Sequence, residues 1–263
     1  ITYSPNMDRY QIILAYDGTH FLGSQRQAAS RTVQGELEKA LCKLGWIGQT
    51  VYLAGRTDTG THASGQVAAF DLDWRHGLNE LHKALNAHLP QDMSVREIKV
   101  ADNAFHPRFD ASSRRYRYRL FCTCVRDPLR ERYAWRVWPA VTELMPLAAL
   151  WPGTHDFTAF GTPPRNEGST VRTVLSADWQ NNGDEWTFDI QADAFLYRMV
   201  RRLVYVQVAV GQGRLLEETL VRALENTHGS SREVRKDAQE RIPANLAPAS
   251  GLTLVEVLYD NLV

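Results

Sequence analysis

The apolar residues of this chain keep switching between two periods, and that switching restricts the fold more than any single motif. In Arg9–Tyr16 (RYQIILAY) they alternate along a run rich in β-formers, as in a strand with one buried face. In Val33–Leu44 (VQGELEKALCKL), Val33, Leu37, Leu41 and Leu44 fall on one helical stripe, with Thr32 placed to cap it. A short strand over Thr50–Ala54, a strand over Gln66–Leu72, a helix over Asn79–His88 capped by Asn79, and a strand over Ser94–Val100 follow. The order is βαββαβ, the split βαβ plan. The second half predicts a strand over Arg114–Cys124, a helix over Glu143–Trp151, and strands over Val171–Trp179 and Glu185–Gln191. Helices over Phe195–Val210 and Leu215–Glu225 and a last strand over Leu252–Tyr259 complete it. The expected fold class is therefore α+β. Two βαββαβ (ferredoxin-like) halves, 7–110 and 111–263, would set their sheets around a central catalytic cleft. Gly161–Thr170 and Asn226–Gly251 read as loops.

Charge is balanced at 30 cations against 30 acids, which by itself argues against a strongly basic nucleic-acid binder. Its distribution says more. Lysine occupies only positions 39, 43, 83, 99 and 236, so the remaining 25 cations are arginine, a planar fork suited to phosphate. Arg114, Arg115, Arg117 and Arg119 crowd one segment, Arg126, Arg130, Arg132 and Arg136 the next, and Arg198, Arg201 and Arg202 a third. Such clusters predict local basic surface on a neutral protein. The three cysteines lack metal spacing and fit a reducing compartment. No apolar run approaches the roughly 20 residues of a membrane span. The sequence opens on no secretory pattern, so a cytoplasmic location is expected.

The chemistry centres on Ala54–Gln66, AGRTDTGTHASGQ. Asp58 is its lone acid. As a loop aspartate it reads either as an Asx-turn residue or as a reactive carboxylate kept ionised by nearby Arg56. Asp58-Thr59-Gly60-Thr61 also spells an aspartic-protease signature, but no second D-T-G or D-S-G supplies the partner acid. His62 lies four residues on and lacks a third ligand for a metal, so a structural role is expected. In Ser112–Cys124 (SSRRYRYRLFCTC), Tyr116 and Tyr118 share one strand face, and Arg115, Arg117 and Arg119 the other. That pattern suits either an edge strand with inward tyrosines or an RNA face of stacking rings and phosphate-holding arginines. Phe105–Phe109 (FHPRF) mixes rings and a cation in the same way.

Taken together, YDGTHFLGSQRQ, VQGELEKAL, AGRTDTGTHASGQV, LNAHLP, FHPRFDASSRRYRYRL, HDFTAF, FLYRMVRRLV and PASGLTLVEV run nearly end to end. They resemble the tRNA pseudouridine synthase A family. One position departs: the family carries an aromatic where this chain has Ser24. The resemblance implies that Asp58 is the catalytic aspartate. It also implies that Tyr116 packs against the target base, that Arg201 pairs with the aspartate, and that Arg56 contacts tRNA. Phe105, His106, Pro107, Arg108 and Phe109 fall on one RNA-contacting loop, and Pro164, Arg165, Asn166, Glu167 and Gly168 on another. The implied protein is a homodimer that needs no cofactor or metal and has no membrane association. It isomerises uridines 38, 39 and 40 of the tRNA anticodon stem-loop after base flipping. A non-catalytic RNA-binding protein of two RNA-recognition-like modules is the alternative, although no convincing RNP1 pattern is present.

Overall fold

A computed structural model describes residues 7–163, 168–225 and 241–260. They form two compact units. The first holds the described residues up to 112 together with 253–260, and the second those from 113 to 252. The fold class is α+β.

In the first unit the elements are β1 (Asp8–Tyr16), α1 (Val33–Lys43), β2 (Tyr52–Leu53), β3 (His62–Leu72), α2 (Leu78–His88) and β4 (Met93–Val100). This is the βαββαβ order expected from the periodicity. Tyr10, Ile12, Leu14 and Tyr16 are buried as the period-two reading of β1 requires. Thr32 caps α1, its hydroxyl accepting from the Gly35 N–H at 3.2 Å. The cap of α2 differs. Gly77 occupies it without a side-chain bond, and Asn79 lies inside the helix. The strand order is β4-β1-β3, antiparallel throughout.

The free edge of β3 is shared by two partners. The two-residue β2 pairs antiparallel at Ala68–Ala69, whereas β10 (Leu252–Tyr259) runs parallel at His62–Ala63. A Cβ at Gly65 would stand 2.1 Å from the Val255 carbonyl oxygen, so β10 passes β3 as closely as it does only because residue 65 is glycine. Residues 54–61 leave the sheet between those two pairings.

The second unit contains β5 (Ala111–Cys122), β6 (Trp135–Val137), α3 (Leu144–Ala148), β7 (Gly153–Asp156), β8 (Val171–Asn182), β9 (Glu185–Ala192), α4 (Met199–Gly211) and α5 (Glu217–Glu225). Its strand order is β6-β5-β9-β8-β7. Two short strands, β6 and β7, depart from the expected βαββαβ repeat. With three and four residues, neither is long enough to show a period. The helix expected from Phe195 starts at Met199 instead, because Arg198 takes a left-handed conformation (φ 63°) and stops any helix before it. The apolar face of α4 buries Met199, Val200, Leu203, Val204 and Val208. Full burial of a large aliphatic side chain contributes about 1.5–3 kcal/mol. The one polar residue in this layer, Gln207, accepts from the Trp179 indole N–H at 2.8 Å and donates to Leu203 O.

Among the described residues no helix is long and apolar enough to cross a membrane. Cys42, Cys122 and Cys124 are free thiols.

Candidate active site

Asp58 sits half-buried at the tip of the loop that leaves the sheet between the β2 and β10 pairings. Four buried side chains hold that loop. Gln66, on β3 and wholly buried, donates from Nε2 to Gly55 O at 2.8 Å and accepts from Gly55 N–H at 3.1 Å. An amide side chain thus makes both bonds that a neighbouring strand would have made. Ser24 Oγ accepts from Thr57 N–H at 2.8 Å, and Ser24 N–H donates to Thr57 O at 3.1 Å. The Tyr16 hydroxyl lies 2.9 Å from Thr57 Oγ1, and burial pushes its pKa up to about 12, so it stays protonated. At the far end His62 is buried, with Nδ1 3.0 Å from Gly18 N–H and 3.2 Å from Asp17 Oδ1. This is the structural role expected of His62. No cluster of three or more metal-ligand side chains occurs among the described residues.

Two glycines of YDGTHFLG make the close packing possible. A Cβ at Gly18 would lie 2.1 Å from Thr61 O, inside any tolerable contact. Gly23 combines a φ of +88° with a would-be Cβ 3.0 Å from Thr57 O. The first motif is therefore the wall against which the Asp58 loop is set. Ser24 is part of that wall, buried and bonded in both directions to Thr57.

The turn at the tip closes from Thr61 N–H to the main-chain oxygen of Asp58 at 3.1 Å, with Gly60 at φ 78°. The Asp58 peptide group provides that closure. Arg56 departs from expectation. It is exposed and forms no ion pair with a described residue.

In FHPRF the five residues divide. Phe105 and Pro107 are buried, with the Phe105 ring 5.3 Å from Tyr259 and Pro107 O accepting from the Tyr259 hydroxyl. His106, Arg108 and Phe109 face outward, and Phe109 is 76% exposed. The His106 ring stands 4.3 Å from Phe109 on one side and 5.0 Å from Tyr52 on the other. Tyr52 is an exposed aromatic on β2, just before the AGRTD loop.

In the second unit Tyr116 on β5 is buried, its ring edge-on to Phe195 at 5.1 Å. Arg201 on α4 donates from Nε to Ala247 O at 2.8 Å, and Ala247 N–H returns to Arg201 O at 3.2 Å. The buried Tyr118 hydroxyl donates to Pro248 O at 2.8 Å. Burial raises the Tyr118 pKa well above the usual phenol range, and the Arg201 charge opposes that shift. The RRYRY strand, the MVR helix and the PAS segment, far apart in sequence, thus meet here. Of the second expected RNA loop only Gly168 is described; Pro164, Arg165, Asn166 and Glu167 lie outside the described residues.

The arginine clusters are less basic than their spacing suggested. Arg117 pairs with Asp189 directly across the β5–β9 ladder at 2.9 Å. Arg126 and Arg136 share Glu131, and Arg130 holds Asp184 at 2.8 Å. Asp184 and Glu185 come from the β8–β9 turn, some 54 positions away in sequence, where no reading of local composition would look for them.

A family described as tRNA pseudouridine synthase matches this chain over residues 12–110 and 147–260. The chain is 40% identical over 259 residues to a tRNA pseudouridine synthase A of Chloroflexus aurantiacus, covering 94% of this chain and 87% of that one. It is 38% identical over 257 residues to a Geobacillus protein of the same name (96% and 99% covered). It is also 38% identical over 262 residues to one of Limosilactobacillus fermentum (97% of each).

Proposed function

The chain belongs to the tRNA pseudouridine synthase family and isomerises uridine to pseudouridine in tRNA, and from that premise we propose that Asp58 is its catalytic carboxylate. The observation that carries this reading is the setting of Asp58. It is half-buried on a loop whose flanks are pinned by Gln66, Ser24, Tyr16 and His62, while the turn itself is closed by main-chain atoms. A carboxylate carried on a loop fixed at both flanks is preorganised for reaction.

The targets in this reading are uridines 38, 39 and 40 of the anticodon stem-loop. The nucleotide leaves the stack so that its sugar and base edge can be reached. Asp58 acts on the extruded nucleotide and the C1′–N1 bond breaks. The uracil turns, C1′–C5 forms, the C5 proton departs and N1 is left protonated, so the atoms balance without any oxidant or reductant. Tyr116 packs against the target base, and Arg201 belongs to the substrate site. Arg56, whose guanidinium is exposed, contacts the RNA. The outward residues His106, Arg108 and Phe109 do so as well, with Phe105 and Pro107 holding their loop, and residues 164–168 form the second contact. The protein acts as a cytoplasmic homodimer.

The test is tritium release from C5-labelled uridine in tRNA. Wild type should release label and Asp58→Asn should not, with tRNA affinity retained. Release by Asp58→Asn at the wild-type rate would remove Asp58 from the chemistry.

A further inference from the structure

Arg198 and Arg202 differ from Arg117, Arg126, Arg130 and Arg136. They lie one turn apart at the start of α4, with Arg202 N–H bonded to Arg198 O at 3.1 Å. Neither has a carboxylate partner among the described residues, in contrast to Arg117, Arg126, Arg130 and Arg136. Arg202 is half-buried. Among the described residues its Nε is enclosed with no acceptor, and its Nη2 donates a long bond of 3.4 Å to Ala244 O. Burial first, then the neighbouring charge of Arg198, push the Arg202 pKa below the usual guanidinium range. The Arg198 guanidinium lies over the exposed Tyr197 ring at 4.6 Å, which orients it. Its backbone adopts φ 63°, a costly conformation for a non-glycine residue. Neighbouring guanidinium charges without a carboxylate partner are unfavourable until an anion joins them.

We infer that Tyr197, Arg198 and Arg202 form a phosphate-binding site that takes a backbone phosphodiester of the tRNA. The guanidinium pair offers planar donor forks matched to phosphate oxygens. The location agrees. Tyr197 is bridged in both directions to Thr162, with bonds of 2.9 and 3.3 Å. Thr162 lies two residues before the 164–168 segment proposed above to touch RNA. The site is distinct from Arg201, whose Nε is committed to Ala247 O. The inference rests on tRNA being the substrate.

The experiment is a salt titration of tRNA affinity for wild type, Arg198→Gln/Arg202→Gln and Arg198→Lys/Arg202→Lys. Each phosphate contact adds roughly 0.7–0.9 to the slope of log affinity against log salt. The glutamine pair should therefore bind roughly threefold to tenfold more weakly at low salt, with a slope shallower by about one or more contacts. The lysine pair should recover most of the slope. Should the glutamine pair unfold early, Arg198→Gln alone, at an exposed residue, carries the same comparison with a smaller expected loss. A folded glutamine variant with wild-type affinity and slope overturns the site, while label release by wild type shows that the substrate assignment survives. A wild type that neither binds nor modifies tRNA overturns both.

Discussion

Gln66 and Gly55 are joined by two hydrogen bonds, one in each direction, at 2.8 and 3.1 Å. One lies on β3 and the other opens the loop that carries Asp58, so a side chain continues the sheet where β2 has ended. The consequence is a loop with a strand's rigidity at its root and no strand beside it.

Removing that pairing should cost both stability and chemistry. Gln66→Leu leaves the part-buried N–H and C=O of Gly55 without their partner, at up to about 1–3 kcal/mol each before relaxation. We expect a loss of about 2–4 kcal/mol by urea unfolding. Label release should fall through kcat more than through KM, since what is lost is the placement of Asp58. A wild-type urea midpoint with wild-type turnover would show that Gly55 does not depend on Gln66.

Ser24 makes a related prediction at Thr57. Ser24→Ala withdraws the oxygen that accepts from Thr57 N–H, a group buried with its residue. Stability should drop by about 1–3 kcal/mol. Ser24→Thr keeps the acceptor and tests whether the wholly buried pocket admits one more methyl. If alanine is as stable and as active as serine, the hydroxyl is incidental to the loop.

The Arg31–Asp92 pair should set part of the acid limit of folding. Both guanidinium nitrogens reach the carboxylate at 2.7 Å. The hydrogen bonds from Arg31 hold the Asp92 pKa below its ordinary value of 3.8. A depressed folded pKa means that the stabilisation is present above the unfolded value and is lost as pH falls through the folded one. Wild type should therefore lose stability progressively below about pH 4. Asp92→Asn should be less stable at neutral pH and show a flatter decline in that acid window. Equal slopes for the two proteins, measured by chemical denaturation from pH 5 downward, would exclude Asp92 as a contributor.

Tyr116 separates ring from hydroxyl. Tyr116→Phe keeps the edge contact with Phe195 and a face for stacking, so kcat/KM should stay within roughly tenfold, about 1.4 kcal/mol, of wild type. Tyr116→Ala should destabilise the second unit by about 3–5 kcal/mol, because the ring is buried, and should lose activity as well. A phenylalanine variant as inactive as the alanine one would assign the role to the hydroxyl instead.

Much of this protein could be read from residue order. Periodicity and apolar content located β1, α1, β3 and α4, because each is long enough to carry a local pattern. Thr32 was legible as a cap because capping is local chemistry. The loop around Asp58 stood out because small residues, an arginine and one acid interrupt two apolar runs. What escaped was non-local. The strands β6 and β7 are too short to carry a pattern. Arg130 meets Asp184 only because β5 and β9 lie side by side, so a cluster that looked basic is largely neutralised. Arg56 sits two residues from Asp58 and yet makes no pair with it, since spacing along a loop does not set direction in space.

The sequence by itself determined the α+β class, the order of elements from β1 to β4 and the loop proposed to carry the chemistry. These depend on periods and residue types within a few turns of chain. Only the tertiary structure decided that β10, from the far end, pairs with the edge of β3 beside that loop, and that Gln66, Ser24 and Tyr16 hold it. It also decided which arginines keep their charge exposed. Edge partners and charge partners are chosen by proximity in three dimensions, and proximity is a property of the packed chain, not of its order.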